Sequence, residues 1–361
     1  MVLEELFKYL KKEDVIEEEI DATPVDFGVE EEVLIQILKD TVDTSWGRGT
    51  LDRERIYAWL DNFIGLVFDK EYERKLALIL AVHIVYYNED DIRYLVKIAY
   101  RKLLHQIMTK ERVSLEKAAE SVVFYPLGSV SESGPFLSYY FRKENNLPVE
   151  FFANSIENVA NSSNVRNIVL LDDVSISGSQ VSWYLNQMKH REEIWNKIFQ
   201  EKTLYALFLI STIKAQKELK NQKVHLCTPI LMDERSECFR EESAIYKMFD
   251  KGVRDKLRMQ SKFMAEKYGY KLLLKQYSYN GEFQRLLDLG KPAETIKKKL
   301  KKDALGYDDS EILTVFEYNT PNNSLPIIWV ETDKWVPLFK RHDKLYTTQV
   351  VGGIKNDNKY I

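Results

Sequence analysis

Four apolar residues, two acids and a small-residue turn follow one another at Ile168-Val169-Leu170-Leu171-Asp172-Asp173-Val174-Ser175-Ile176-Ser177-Gly178-Ser179-Gln180. The apolar run reads as a strand buried on both faces, the kind found in parallel sheets covered by helices. The acids then fall at the strand's carboxyl end, where open α/β sheets bind ligands. Ser177, Gly178 and Ser179 can turn several backbone N–H groups toward an anion. Val181 to Met188 continues as a helix, whose positive N-terminal end favours a phosphate. A sugar hydroxyl pair suits the acids and a phosphate suits the turn, so a ribose 5-phosphate group satisfies both halves. The alternative is that Asp172 and Asp173 end a strand and cap the next helix.

The flanking segments alternate in the same way. Ser121 to Leu127 reads as a strand, Gly128 to Gly134 as a polar loop and Pro135 to Lys143 as a helix that opens on Pro. Downstream, Leu204 to Ile210 is a buried strand, Ala215 to Asn221 a short helix and Val224 to Met232 another strand. Strands alternating with helices imply a parallel sheet with right-handed crossovers.

Ahead of this unit, apolar residues recur at helical spacing over Glu30 to Lys39, Arg53 to Val67, Tyr72 to Tyr87 and Asp91 to Lys110. The expected organisation is a helical N-terminal region over 1–115, an α/β domain over 116–345 and a loose tail over 346–361. Ser243 to Tyr268 is expected to form a long helix that ends near Gly269. The lysine-rich run Ile296 to Asp303 reads as a solvated patch, or as a holder of polyphosphate or a nucleic-acid backbone. Near the C-terminus a β-like run at Leu313 to Phe316 leads into a turn dense in Asn and Pro. Asn322 and Asn323 offer the paired donor and acceptor that would read a nucleobase edge, and Trp335 offers a stacking face. Bracing the turn is the structural alternative for all three.

Composition excludes several classes. A formal net charge of −4 gives no global basic field for nucleic acid or membrane. No long uncharged apolar span and no signal segment are evident, which makes a cytoplasmic location the expectation. The two cysteines, Cys227 and Cys238, lack metal-ligand spacing and read as free thiols, Cys227 in the core and Cys238 at the surface. Five scattered histidines form no HxxxH pair, so a zinc site is not expected.

The string IVLLDDVSISGSQ resembles the phosphoribosyl-diphosphate (PRPP) motif of type I phosphoribosyltransferases. That resemblance implies that Asp172 and Asp173 hold the ribose 2- and 3-hydroxyls and that Ser177, Gly178, Ser179 and Gln180 wrap the 5-phosphate. The family loop reads roughly Thr-Thr-Gly-x-Thr; here Ile176 and Gln180 replace the first and last Thr. The resemblance also places Gly128, Ser133 and Gly134 at the pyrophosphate, with Mg²⁺ carried by substrate oxygens rather than by direct protein ligands. More narrowly, the chain resembles the phosphoribosyltransferase-like PRTase-CE group of prokaryotic conflict systems. The ordered strings RIYAWLDNF (with Trp59 and Phe63), FYPLGSVSESG, LLDD…SGSQ, LGYDDSEILTVFEYNTPNNSLPIIW and WVPLF carry that likeness over residues 40–341. It implies a role in bacterial antiviral or retron-type loci and a partner effector. Two other readings stand beside an active transferase. One is a catalytically inactive nucleotide sensor that regulates a partner; the other is a protein that binds or modifies nucleic-acid ends.

Overall fold

A computed structural model describes residues 21–128, 133–153 and 155–341. The expected tail and part of the loop after Gly128 lie outside these residues.

The central sheet is wholly parallel. Strand β1 (Val85–Tyr87) stands apart from it; β2 (Val122–Pro126), β3 (Asn167–Ser175) and β4 (Thr203–Thr212) form its body. Two short strands, β5 (Val224–Cys227) and β6 (Ile230–Met232), both pair with β4, the first along Leu204–Leu207 and the second along Ile210–Thr212. The single strand expected over Val224 to Met232 is thus broken in two. Pro229 lies in the break and has no N–H to give a ladder.

All nine residues of β3 are buried, as a strand covered on both faces requires. Its side chains alternate between two cores. Val169 and Leu171 pack with helices Glu89–Glu111 and Ser133–Glu144. Ile168 and Leu170 pack with Val181, Leu185 and Met188 of helix Ser179–Lys189 and with Ile198.

A third core joins the early helices to the C-terminal part of the described residues. Leu34, Ile35, Trp59, Phe63 and Leu76 pack with Leu257, Met264, Tyr268, Ile327 and Trp335. Trp59 donates its indole N–H to the carbonyl of Ile327 at 2.8 Å. Glu73 is fully buried yet satisfied, accepting from the N–H groups of Gly65, Val67 and Phe68 and from Tyr268 Oη at 2.6–3.1 Å. The early helices therefore share a core with the C-terminal region, whereas Glu89–Glu111 packs on the sheet. That helix begins with a capping box between Asn88 and Asp91.

Three helices differ from expectation; the pattern over Arg53 to Val67 is helical only over Arg53–Leu60. The segment expected as one helix over Tyr72 to Tyr87 ends at Ala81, and Val85–Tyr87 forms β1, parallel to β7 (Thr314–Phe316). β-Branched and aromatic residues suit that pairing, and helical spacing alone does not reveal a distant partner strand. The long helix runs from Lys251 to Tyr279, not from Ser243 to Tyr268. Gly269 lies inside it, where an added Cβ would come within 2.0 Å of the Ala304 carbonyl oxygen. It serves close packing rather than termination. Cys238 is buried, not exposed, and both cysteines are free.

Candidate functional site

β3 delivers Asp172 and Asp173 to the carboxyl edge of the sheet, and the next turn opens helix Ser179–Lys189. Consecutive side chains on a strand point to opposite faces, so the two acids meet different neighbours. Asp172 Oδ1 accepts from Ser133 Oγ at 2.6 Å and from the Asp173 N–H at 2.9 Å. Asp173 accepts from its neighbour Val174 N–H at 2.8 Å and from Tyr318 Oη at 3.0 Å.

Both carboxylates are under a tenth exposed. Burial, and then the adjacent charge of Asp173, pushes the Asp172 carboxyl well above the usual carboxylate range. Burial also raises Asp173, while Tyr318 works in the opposite direction. Each carboxylate has about four lone-pair positions, so hydroxyls of a ligand can still be accepted beside the donors already present.

The turn has the backbone an anion cradle needs. Gly178 adopts φ +76° immediately before the helix, a conformation that costs glycine little. An added Cβ there would sit 3.2 Å from Glu218 Cγ. Ser177 Oγ donates to Ser179 Oγ at 2.8 Å and accepts from the Ser179 N–H at 3.3 Å. The first N–H groups of a helix have no intrahelical acceptor and so face outward for a ligand. Gln180 follows Ser179 in the first turn of the helix and is half-buried.

The candidates in the loop after β2 divide. Gly128 takes φ +92° at the loop's start. Gly134 is buried, and a Cβ on it would meet the Leu127 carbonyl oxygen at 2.2 Å. Its lack of a side chain lets helix Ser133–Glu144 press against the end of β2. Ser133 is brought directly to Asp172.

The C-terminal candidates are corrected in part. Trp335 is buried, its ring 5.3 Å from Phe63 and 5.4 Å from Tyr268, so it is closed to a base. Asn323 donates its amide to Ser310 Oγ at 3.3 Å and to the Tyr307 carbonyl at 3.4 Å. Asn322 is exposed and accepts the Tyr307 N–H through its backbone at 2.8 Å. The Asn-rich turn thus braces the loop that begins at Gly306.

Sequence reasoning missed Tyr318 and Phe136. Tyr318 follows β7, stacks on Phe316 at 5.4 Å, lies tilted against Phe136 at 4.5 Å, and reaches Asp173. The only signal for these contacts was that LGYDDSEILTVFEYNTPNN was an unusual string. Pairing of β1 with β7, which brings Tyr318 to the sheet, lies in no local pattern.

The family profile PRTase-CE matches residues 56–341. The chain belongs to the PRTase-CE family. The family strings, far apart in sequence, meet in the fold: Trp59 and Phe63 pack with Ile327 and Trp335. Its phosphoribosyltransferase-like character agrees with the parallel sheet flanked by helices. Among solved structures, the orotate phosphoribosyltransferase from Aeropyrum pernix is similar at 15% identity and a TM-score of 0.24, over 40% of this chain and 72% of that one. No curated protein matches. Among the described residues, no helix is long and apolar enough to cross a membrane.

Proposed function

We propose that this PRTase-CE protein binds the ribose 5-phosphate group of PRPP or of a nucleotide between Asp172 and Asp173 and the turn Ser177–Gln180. The observation that carries this reading is a pair of buried carboxylates near the carboxyl end of the central parallel strand, with a left-handed glycine opening a helix a few residues on. Unpaired buried charge is costly, and a site that keeps two adjacent acids is built for a ligand rich in donors.

In a transfer reaction the acids would orient the ribose hydroxyls and stabilise positive charge developing at C1 as the leaving group departs. The turn would hold the 5-phosphate, and Ser133 would keep Asp172 in place. Among the described residues no group of three or more His, Cys, Asp or Glu is positioned to hold a metal ion. Asp172 and Asp173 therefore fit Mg²⁺ only as it usually binds, through one or two carboxylates with phosphate oxygens and water. When bound, the ion would neutralise charge on a pyrophosphate group.

A sensor without turnover is the second reading. It is favoured by the donors that Ser133 and Tyr318 already give the two acids, which satisfy the site from within the chain. A role in a bacterial antiviral locus, which the family resemblance implies, is part of the same proposal; phage challenge of cells carrying Asp172→Asn tests it.

The deciding experiment is calorimetric titration of PRPP with Mg²⁺ into the wild type and into Asp172→Asn/Asp173→Asn, with pyrophosphate assayed in parallel. Micromolar binding that the variant loses supports the site. Binding without pyrophosphate release favours the sensor. No binding by a folded wild type removes the ribose-phosphate reading.

A further inference from the structure

Helix Glu89–Glu111 buries one apolar face, with Leu95, Ala99, Leu103 and Ile107, in the core beside the sheet. A second stripe on the same helix is polar. Ile98, Arg101, Lys102, His105 and Gln106 recur at the i, i+3, i+4, i+7, i+8 spacing that places residues on one face, and all of them line a groove of about 610 Å³. Leu226, Thr228 and Leu231, at the outer edge of the sheet, also line it. Gln216, from helix Ile213–Asn221, completes it. Strand β4 lies between these edge strands and β3, so the groove is separate from Asp172 and Asp173.

An exposed sheet edge ordinarily offers its N–H and C=O groups to another strand. Here the chain's own side chains take them. Lys102 Nζ donates to the carbonyls of Thr228 and Pro229 at 3.2 and 3.3 Å, and Gln106 Nε2 donates to the Leu226 carbonyl at 3.2 Å. Pro229 has no N–H to give. The groove is therefore poorly suited to an added peptide strand. Its charge suits a different occupant. Arg101, Lys102 and His105 line it and no Asp or Glu does, in a chain where acids outnumber Lys and Arg by 56 to 52. Among the described residues, the exposed side chains of Arg101 and His105 form no ion pair or hydrogen bond. They stand ready for an anion.

We propose that this groove is a second binding site, for a small organic phosphate of mononucleotide size. The planar fork of Arg101 matches two phosphate oxygens. His105 lies one turn along the same face and Lys102 beside it. Gln216 offers an amide, donor and acceptor together, to a polar edge of the ligand. Ile98, Leu226 and Leu231 give its carbon frame an apolar surface. The volume of about 610 Å³ falls within the roughly 300–1,000 Å³ of small-molecule pockets. The site stands independently of the ribose 5-phosphate reading of the turn after β3.

The test uses the full chain with AMP as the probe and adenosine as the same molecule without phosphate. The readout is the imidazole NMR signal of His105, assigned through His105→Gln, because that ring lies in this groove. AMP is expected to move the signal and adenosine to leave it in place. Arg101→Met changes an exposed side chain and should weaken AMP roughly tenfold, as losing one hydrogen bond to a charged group does. Lys117→Met removes the same charge from an exposed position outside the groove and should change affinity by no more than about twofold, the effect of one screened surface charge. In Asp172→Asn/Asp173→Asn the shift should persist at wild-type affinity, which separates this site from the acids. No movement of His105 at about 1 mM AMP in the folded wild type overturns the proposal. So does an equal response to adenosine, an equal loss from Arg101→Met and Lys117→Met, or a shift that vanishes in folded Asp172→Asn/Asp173→Asn. A 5′-phosphorylated oligonucleotide that displaces AMP at His105 and binds more tightly also overturns it, since the groove then belongs to a nucleic-acid end.

Discussion

Tyr318→Phe removes one hydroxyl and leaves the ring packed against Phe316 and Phe136. Asp173 then loses the donor at 3.0 Å to Oδ2 and retains, of its two contacts described above, only its neighbour's N–H at 2.8 Å. A hydrogen bond to a charged group is worth about 1.5–3 kcal/mol. A chain of 361 residues unfolds with an entropy of about 0.8 kcal/mol/K at the midpoint, so the loss lowers Tm by about 2–4 °C at neutral pH. The pH dependence has a definite sign. Tyr318 lowers the folded pKa of Asp173 relative to the variant, against the upward push of burial. Its contribution is therefore present where Asp173 is ionised in the fold and shrinks as pH falls through the folded pKa. Thermal scans of both proteins between pH 4 and 8 give the comparison. A difference in Tm that is zero at pH 8, or that grows toward pH 4, would refute the contact between the hydroxyl and the carboxylate.

Three other outcomes are expected. Asp172 has a folded pKa raised by burial and by Asp173, so its ionisation costs stability as pH rises from the unfolded value through the folded one; Asp172→Asn should raise Tm at pH 7, with the gain fading toward pH 4, and a loss of Tm at pH 7 would contradict this. Gly269→Ala places a Cβ 2.0 Å from the Ala304 carbonyl oxygen and should destabilise by about 1–3 kcal/mol in urea titration, despite roughly 1 kcal/mol of better helix propensity; a stabilised variant would show that the helix does not approach residue 304 so closely. Trp335→Ala should cost about 3–5 kcal/mol of stability, while ribose 5-phosphate and nucleotide affinities of the folded protein stay equal to wild type; a loss confined to nucleotides would restore Trp335 as a base contact.

The sequence by itself determined the central strand, the placement of Asp172 and Asp173 at its end and the turn that opens the next helix. Those features are local: an apolar run, a change of period and a glycine carry them, and the physics of strand ends and helix N-termini does the rest. It also determined the alternation that makes a parallel sheet, because each strand and helix writes its own periodicity. Only the tertiary structure decided what surrounds the acids. Tyr318 reaches Asp173 because Val85–Tyr87, legible only as the end of a helical pattern, instead pairs with Thr314–Phe316. Trp335, a possible stacking face in sequence, is drawn into the core with Phe63 and Tyr268, where its large ring is buried. Gly269 reads locally as a helix stop, yet it continues the helix because a neighbouring backbone occupies the space a side chain would need. Long-range pairing and close packing depend on partners tens to hundreds of residues away, and no local pattern names those partners.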